Sequence, residues 1–214
     1  MSKNLVTIVD YECGNIYSLN RILEKLNYKV EITNNPEKVN NADKIILPGV
    51  GAFSVGMENL KKNGLQEAIK NFLKKGNFLL GICLGMQLLM KSSDEFGKYK
   101  GLSLINGKVI SLEKKENFPI PHIGWSSIEI DKKKNENKII SEIKDKSYFY
   151  FIHSFKVLVD TNAQLLSAAY KPFFSVIGVP IAQRPRPGGK NFIVKILSYI
   201  SCADFCACQG FHPN

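Results

Sequence analysis

The sequence predicts an α/β protein with a doubly wound, mostly parallel sheet, helices on both faces and an added β-rich layer. Short β-rich runs alternate with amphipathic segments throughout the first half of the chain. The second half consists largely of strand-like runs separated by polar turns. The length of 214 residues fits a single domain, which we assign to residues 1–200, followed by an atypical cysteine-rich tail over residues 201–214.

Four short apolar runs are predicted as strands of the first half. They are Leu5–Val9, Lys29–Ile32, Lys44–Leu47 and Phe78–Cys83. The segments Asn15–Leu26 and Leu65–Lys74 carry apolar residues near helical spacing and are predicted as amphipathic helices. Because strand–helix–strand alternation favours parallel pairing, the loops after these strands are expected at one common edge of the sheet.

The predicted strands of the second half form the added β-rich layer. They are Leu102–Leu112, Ser126–Ile130, Tyr148–Phe151 and Leu165–Ala169. The stretch from Pro180 to Gly189 holds three prolines and two glycines, which predicts a loop. Residues 191–200 fit either a short helix or a buried strand, because periodicity alone does not separate the two.

The formal charge of +10 first suggests a nucleic-acid ligand. The lysines, however, are scattered over helix-like stretches and the run Asp131–Lys138, without a recognition helix or an aromatic RNA-binding motif. We interpret them as a solvated surface, part of which could steer an acidic partner or a phosphorylated substrate. No apolar run approaches the roughly 18 residues of a membrane span. The number of cysteines is five, and an odd number argues against a disulfide framework, so a cytoplasmic location is expected.

The strongest chemical signal is the run Gly81-Ile82-Cys83-Leu84-Gly85-Met86-Gln87, which follows a predicted strand. A nucleophile with glycine two positions before and after it is typical of a nucleophile elbow, where a strained turn exposes the nucleophilic side chain. A helix beginning near Leu84 would direct N–H groups toward the sulfur, which predicts a lowered thiol pKa and an oxyanion donor at the Leu84 nitrogen. The plainer interpretation is that Cys83 is a small buried apolar residue.

A second glycine-rich motif, Pro48-Gly49-Val50-Gly51-Ala52-Phe53, follows the predicted strand Lys44–Leu47. It is expected at the same sheet edge as Cys83. Its glycines would let backbone approach a ligand, and the N–H of Val50 or Gly51 could supply a second oxyanion donor. An ordinary strand–helix turn explains the same residues. Neither a P-loop nor a dinucleotide fingerprint is present, which disfavours a phosphate site.

Further short motifs occur in order along residues 1–170. They are Asp10-Tyr11 with Gly14-Asn15-Ile16, Lys100-Gly101-Leu102, Pro121-His122-Ile123-Gly124-Trp125 and Phe151-Ile152-His153-Ser154-Phe155. Together with the two glycine-flanked motifs, they make the chain resemble the class I glutamine amidotransferases. Within that family, it is more closely similar to the glutaminase subunits of imidazole glycerol phosphate synthase, an enzyme of histidine biosynthesis.

The resemblance implies a role for individual residues. Cys83 would form a thioester with the glutamyl group of glutamine and expel ammonia. Val50 and Leu84 would provide the oxyanion N–H groups. The implied glutamine-binding residues are Gly51, Gln87, Ser154 and Phe155, the last two through their backbone.

The resemblance also implies a partner. Ammonia would pass into a cyclase subunit with a (β/α)8 barrel, bound as a heterodimer, and Asn15 and Trp125 would lie near that interface. No nucleic-acid, membrane, metal or cofactor ligand is implied.

A thiol nucleophile needs a base, and the base needs an orienting partner. The family takes both from a late His-Pro-Glu segment, but here Ala182 and Arg184 occupy the corresponding places. A second placement uses His212-Pro213-Asn214, in which asparagine replaces glutamate, and His212 is therefore our candidate base. His122 and His153 do not sit in a recognisable base position and are interpreted as core or interface residues satisfied by hydrogen bonds.

Other interpretations remain open on the sequence. The terminal cysteines Cys202, Cys206 and Cys208 could bind zinc together with His212, although their spacing is not a usual zinc signature. The chain could also be a paralogous ammonia-supplying subunit of a sugar-modifying synthase, a non-catalytic partner-binding subunit, or a cysteine protease.

Overall fold

The computed structural model describes residues 4–114, 119–130, 144–159, 166–170 and 173–176. Its strands are β1 Leu5–Val9, β2 Lys29–Thr33, β3 Lys44–Leu47, β4 Phe78–Gly81, β5 Met90–Ser93, β6 Tyr99–Lys100, β7 Ile105–Ser111, β8 His122–Ile130, β9 Tyr148–His153, β10 Phe155–Val159, β11 Leu166–Tyr170 and β12 Phe173–Val176. Its helices are α1 Ile16–Lys25, α2 Pro36–Asn41, α3 Phe53–Lys62, α4 Leu65–Lys74 and α5 Leu84–Leu88. In these ranges no helix is long and apolar enough to cross a membrane.

A four-stranded parallel sheet in the order β2-β1-β3-β4 forms the centre of the fold. Its middle strands β1 and β3 are buried on both faces, as expected for a parallel sheet covered by helices. All four strands run in the same direction, so the loops after β1, β3 and β4 meet at one edge. The predicted doubly wound α/β fold is confirmed.

Helices cover both faces of this sheet because neighbouring residues of β3 point in opposite directions. Ile45 packs in a cluster with Leu60 of α3 and Phe72 of α4. Ile46 packs in a second cluster with Leu19 of α1 on the opposite face. The parallel sheet is therefore fixed between two separate apolar layers.

The predicted β-rich layer consists of two further sheets, ordered β10-β7-β5-β6 and β12-β11-β8-β9. Ile128 of β8 and Phe149 and Phe151 of β9 join the same apolar cluster as α1. One side of the β8–β9 pair thus packs on the central domain, and its other side faces outward.

Several boundaries differ from the predicted ones. β4 ends at Gly81 instead of Cys83, because the backbone of Cys83 leaves the extended conformation at φ 53°. β7 begins at Ile105, not Leu102, and β8 already begins at His122. The elements α2, α3, β5, β6, β10 and β12 were not predicted. The predictions for residues 180–189 and 191–200 lie outside the described residues.

Candidate active site

Cys83 lies in the tight turn between β4 and α5, with φ 53° and ψ −117°. A residue with a Cβ atom rarely adopts a positive φ, and this conformation costs on the order of 1–3 kcal/mol. Cys83 is exposed, whereas Leu84 and Gly85 on its C-terminal side are buried. The turn therefore presents one thiol at the carboxyl edge of the parallel sheet, and the apolar-core interpretation of Cys83 does not fit.

Gly85 and Gly49 bring the two glycine-rich motifs into direct backbone contact. A Cβ atom on Gly85 would collide with the Leu47 carbonyl group and would lie 2.8 Å from the Pro48 oxygen. A Cβ atom on Gly49 would collide with the Tyr11 hydroxyl and would lie 2.8 Å from the Gly85 nitrogen. The start of α5 thus packs on the loop after β3, at the common edge that the sequence predicted.

Tyr11 fixes the loop after β3; it was named within a motif of the sequence but was assigned no role there. Its side chain is fully buried, and its hydroxyl donates to the Pro48 carbonyl oxygen at 2.6 Å. Burial raises the pKa of Tyr11 well above its ordinary value, with smaller contributions from Cys13 and Cys83, so the phenol keeps its proton. Its position directly after β1, at the same sheet edge, was the signal available in the sequence.

The two proposed oxyanion donors are Val50 and Leu84. They are the chain neighbours of Gly49 and Gly85, the glycines at which the two motifs meet. The Leu84 N–H donates to the Gly49 carbonyl oxygen at 3.3 Å and also approaches the Cys83 sulfur. A 3.3 Å bond is long for N–H···O, so it can be exchanged at small cost. To receive an oxyanion, the Leu84 N–H must leave the Gly49 oxygen.

The predicted lowering of the Cys83 thiol pKa is wrong. Desolvation by the surrounding protein atoms raises the pKa of Cys83, the Leu84 N–H opposes that shift, and the charge of Glu95 raises the pKa further. The N-terminus of α5 acts in the expected direction, but it is a single turn and desolvation outweighs it. Cys83 is therefore a thiol at rest and needs a base to become a nucleophile.

Glu95 is a second residue that the sequence analysis missed. Only 7% of it is exposed, and its Oε2 accepts a hydrogen bond from the Phe53 N–H at 3.0 Å. It thereby caps α3, whose N-cap residue Ala52 makes no side-chain cap. Burial raises the pKa of Glu95, and the Phe53 N–H opposes this shift. A buried carboxylate whose charge acts on Cys83 is suited to bind a cationic group.

The predicted glutamine-binding residues belong to separate elements. Gly51, at φ 117°, has open space where a Cβ atom would stand, and Gln87 is half-buried in α5. Ser154 separates β9 from β10, and its carbonyl oxygen accepts the Leu112 N–H at 2.9 Å. The ring of Phe155 lies 5.9 Å from that of Phe96, the neighbour of Glu95. This ring contact links the turn at Ser154, between β9 and β10, to the segment that carries Glu95.

His122 and His153 lie opposite each other on β8 and β9. His122 is 2% exposed, and its Nδ1 lies 3.1 Å from His153 Nε2. Burial, with a smaller contribution from His153, lowers the pKa of His122 to about 4, and burial also lowers the pKa of His153. Both are core residues satisfied by hydrogen bonds, as the sequence interpretation had them.

The low pKa of His122 predicts an acid-sensitive fold. The unfolded chain takes up the proton near pH 6.5, but the folded chain does so only near pH 4, so stability is complete above 6.5 and falls as the pH drops between these values. When the pH is lowered from about 7.5 to about 5, the titration of His122 should decrease the free energy of unfolding by about 2 kcal/mol. Denaturant unfolding of the native chain and of His122→Asn measures this difference, and an equal pH dependence in both would contradict it.

The candidate base His212 and the tail cysteines lie outside the described residues, so the base and zinc interpretations stay predictions. Across the parts of the chain that the structure describes, no three His, Cys, Asp or Glu side chains form a metal-ligand group. A cavity of about 350 Å³ is lined by Leu5, Thr7 and Asp43 among others, near the amino ends of β1 and β3. It lies at the edge opposite Cys83 and contains none of the predicted site residues.

Comparison with known proteins gives one family model, two related subunits and one solved structure. A family model for glutamine amidotransferase class-I matches residues 7–176. The imidazole glycerol phosphate synthase subunit HisH of Helicobacter hepaticus is 39% identical over 188 residues, which cover 83% of this chain and 87% of the relative. The same-named subunit of Sulfurimonas denitrificans is 41% identical over 169 residues, covering 78% and 80%. A crystal structure of a glutamine amidotransferase superposes at a TM-score of 0.61 with 12% identity, covering 96% of this chain and 99% of the other.

Proposed function

The chain belongs to the class I glutamine amidotransferase family, and we propose that it hydrolyses glutamine at Cys83 and supplies the ammonia to the synthase that forms imidazole glycerol phosphate. The observation that carries this proposal is the exposed thiol held at φ 53° beside buried backbone. The similarity to subunits of that synthase supports the acceptor.

The reaction begins when a base removes the Cys83 proton, because desolvation by the neighbouring protein atoms raises the thiol pKa and keeps it protonated at rest. The thiolate attacks the side-chain amide carbon of glutamine, and the negative charge moves to the amide oxygen. Return of the proton to the nitrogen breaks the C–N bond, which leaves a thioester and ammonia. Water then hydrolyses the thioester to glutamate and regenerates the thiol. His212 is the base that we propose.

The oxyanion is stabilised by the N–H groups of Leu84 and Val50. The Leu84 N–H is held by the Gly49 oxygen at rest, so this donor becomes available when the loop after β3 moves its carbonyl group away. We propose that Glu95 binds the α-ammonium group of glutamine and that Ser154 and Phe155 bind its carboxylate through backbone N–H groups; the burial of the Glu95 carboxyl group supports the first role. These contacts orient the amide carbon toward Cys83.

A partner surface lies on the outward side of β8 and β9. It consists of Ile123, Trp125, Tyr148, Tyr150 and Ile152, which we call the outer patch. Ile123 and Ile152 lie directly opposite each other and are 56% and 52% exposed, and the rings of Trp125 and Tyr150 meet at 5.7 Å. A contiguous apolar patch of this kind marks an interaction site. We assign it to the cyclase barrel.

Substitution in the outer patch should weaken this complex without unfolding the chain. Trp125→Ala and Ile123→Asp are each expected to raise the dissociation constant at least about tenfold, because aromatic and buried apolar anchors carry most interface energy. Titration calorimetry with the cyclase measures the effect. Leu158→Asp, at a 58% exposed position on β10 in a different sheet, is the matched control and should bind normally. If all three variants bound the cyclase equally weakly, the assignment of the outer patch to the cyclase barrel would be contradicted.

Ammonia release from glutamine, measured for the chain alone and with the cyclase, tests the function directly. We expect a low rate alone and stimulation by the partner. Absence of turnover in both conditions, with the complex formed, would favour the non-catalytic subunit. We place the reaction in the cytoplasm, where free thiols such as Cys13 and Cys83 stay reduced.

A further inference from the structure

An unbroken chain of hydrogen bonds runs from β8 to the corner after β9. The Ser126 hydroxyl lies 3.0 Å from His122 Nε2, and His122 Nδ1 lies 3.1 Å from His153 Nε2. His153 Nδ1 lies 2.9 Å from the carbonyl oxygen of Phe155. Four groups on the three strands β8, β9 and β10 are thus joined in series, and the series ends on the backbone of β10.

The protonation of every member follows from its end point. A carbonyl oxygen only accepts, so His153 must carry a proton on Nδ1, and in the neutral imidazole its Nε2 then accepts. His122 must then donate from Nδ1, which leaves its Nε2 to accept from Ser126. When both imidazoles are neutral, this is the one arrangement of protons that satisfies all three bonds, whereas a cation at either histidine would leave the Ser126 hydroxyl accepting from His122 Nε2.

The surroundings hold this arrangement in place. The His122 ring stacks on Phe151 with centroids 5.2 Å apart, and almost none of its surface is exposed. Burial disfavours a charged imidazole at either position, which agrees with the lowered pKa of both histidines. The pair therefore stays neutral and directional at physiological pH.

We infer that His122 is a positioning residue for glutamine, which acts through His153 to set the backbone of Ser154 and Phe155. The reason is geometric. The Phe155 carbonyl group is anchored by His153, and the Ser154 carbonyl group is anchored by the Leu112 N–H at 2.9 Å. The Ser154 carbonyl group shares a peptide plane with the Phe155 N–H, and the anchored Phe155 carbonyl group fixes the other side of that residue. The Phe155 N–H therefore keeps a fixed direction, and a fixed donor binds a carboxylate better than a mobile one. The inference rests on the proposed function, since it assumes that this backbone binds glutamine.

The test compares two variants of the full chain in complex with the cyclase. His122→Phe keeps an aromatic ring for stacking on Phe151 but loses both hydrogen bonds, whereas His122→Asn keeps a donor at the position of Nδ1. We expect His122→Phe to raise the KM for glutamine about tenfold, the size of one lost hydrogen bond, with a much smaller change in kcat. His122→Asn should restore most of the affinity.

Two thiol reagents separate positioning from damage to the nucleophile. A chloroketone analogue of glutamine carries the α-amino-acid end, and iodoacetamide lacks it. His122→Phe should slow labelling of Cys83 by the chloroketone about tenfold and leave alkylation by iodoacetamide unchanged. An equal loss with both reagents, or none with either, overturns the inference. If His122→Phe does not fold, Ser126→Ala should show the same selectivity, with a smaller chloroketone effect, because it removes only the first bond of the series.

Different results would contradict the glutaminase function and the positioning role of His122. If the native complex is not labelled at Cys83 by the chloroketone and releases no ammonia, the proposed function fails. If the native complex reacts and His122→Phe has the native KM and labelling rate, glutamine hydrolysis stands and the positioning role is overturned.

Discussion

Cys83→Ala should lower glutamine hydrolysis by at least about 1,000-fold, because the substitution removes the sulfur atom that forms the thioester. The fold should persist, since the side chain is exposed and fills no part of the core. Ammonia release with the cyclase present measures the effect. The complex itself should still form, because Cys83 is not part of the outer patch.

Cys13→Ala is the matched control for this prediction. Cys13 follows β1 at the same sheet edge, but it is buried and its sulfur accepts a hydrogen bond from the Asn59 side chain at 3.5 Å. Its loss should alter stability more than catalysis. Retention of turnover in Cys83→Ala, or an equal loss in Cys13→Ala, would show that Cys83 is not the nucleophile.

Gly85→Ala should destabilise the chain by more than about 3 kcal/mol, which is among the largest effects expected of a single methyl group. The added Cβ atom would collide with the Leu47 carbonyl group, which is backbone in the middle of the fold and cannot rotate away. α5 would have to separate from β3, and the turn at Cys83 would move with it. Denaturant unfolding measures the change, and glutaminase activity should disappear together with the folded state.

Gly51→Ala separates collision from backbone strain. Gly51 has φ 117° but no atom within 4 Å of the Cβ position, so only its conformation resists substitution. We expect a loss of about 1 kcal/mol at this site. If Gly85→Ala and Gly51→Ala were equally stable, close contact between α5 and the loop after β3 would not be what resists substitution at Gly85.

The central sheet could be predicted from sequence because local signals and packing agree there. β1, β3 and α4 have the predicted bounds, and each shows a clear apolar pattern. α3 was missed because its N-terminus is capped by Glu95, 42 positions away, and by no local side chain. β10 was missed because a single residue, Ser154, divides one run of apolar residues between two different sheets. Pairing of that kind has no local signature.

The candidate site could be predicted where it depends on local backbone geometry and could not be predicted where it depends on distant contacts. Cys83 and both glycine-rich turns could be found because positive φ and close backbone approach demand particular residues. The raised thiol pKa could not be found, since it depends on how densely distant segments surround the sulfur. The roles of Tyr11 and Glu95 were missed because each acts through a contact more than 35 positions away along the chain.

The backbone of Cys83 also shows that stability and chemistry make opposite demands at this position. Glycine tolerates φ 53° more readily than any residue with a side chain, so Cys83→Gly could relieve conformational strain while removing the reactive sulfur. The residue with the least conformational strain at this turn would thus be glycine, which has no reactive side chain. A chain optimised only to fold would have no reason to place a thiol there.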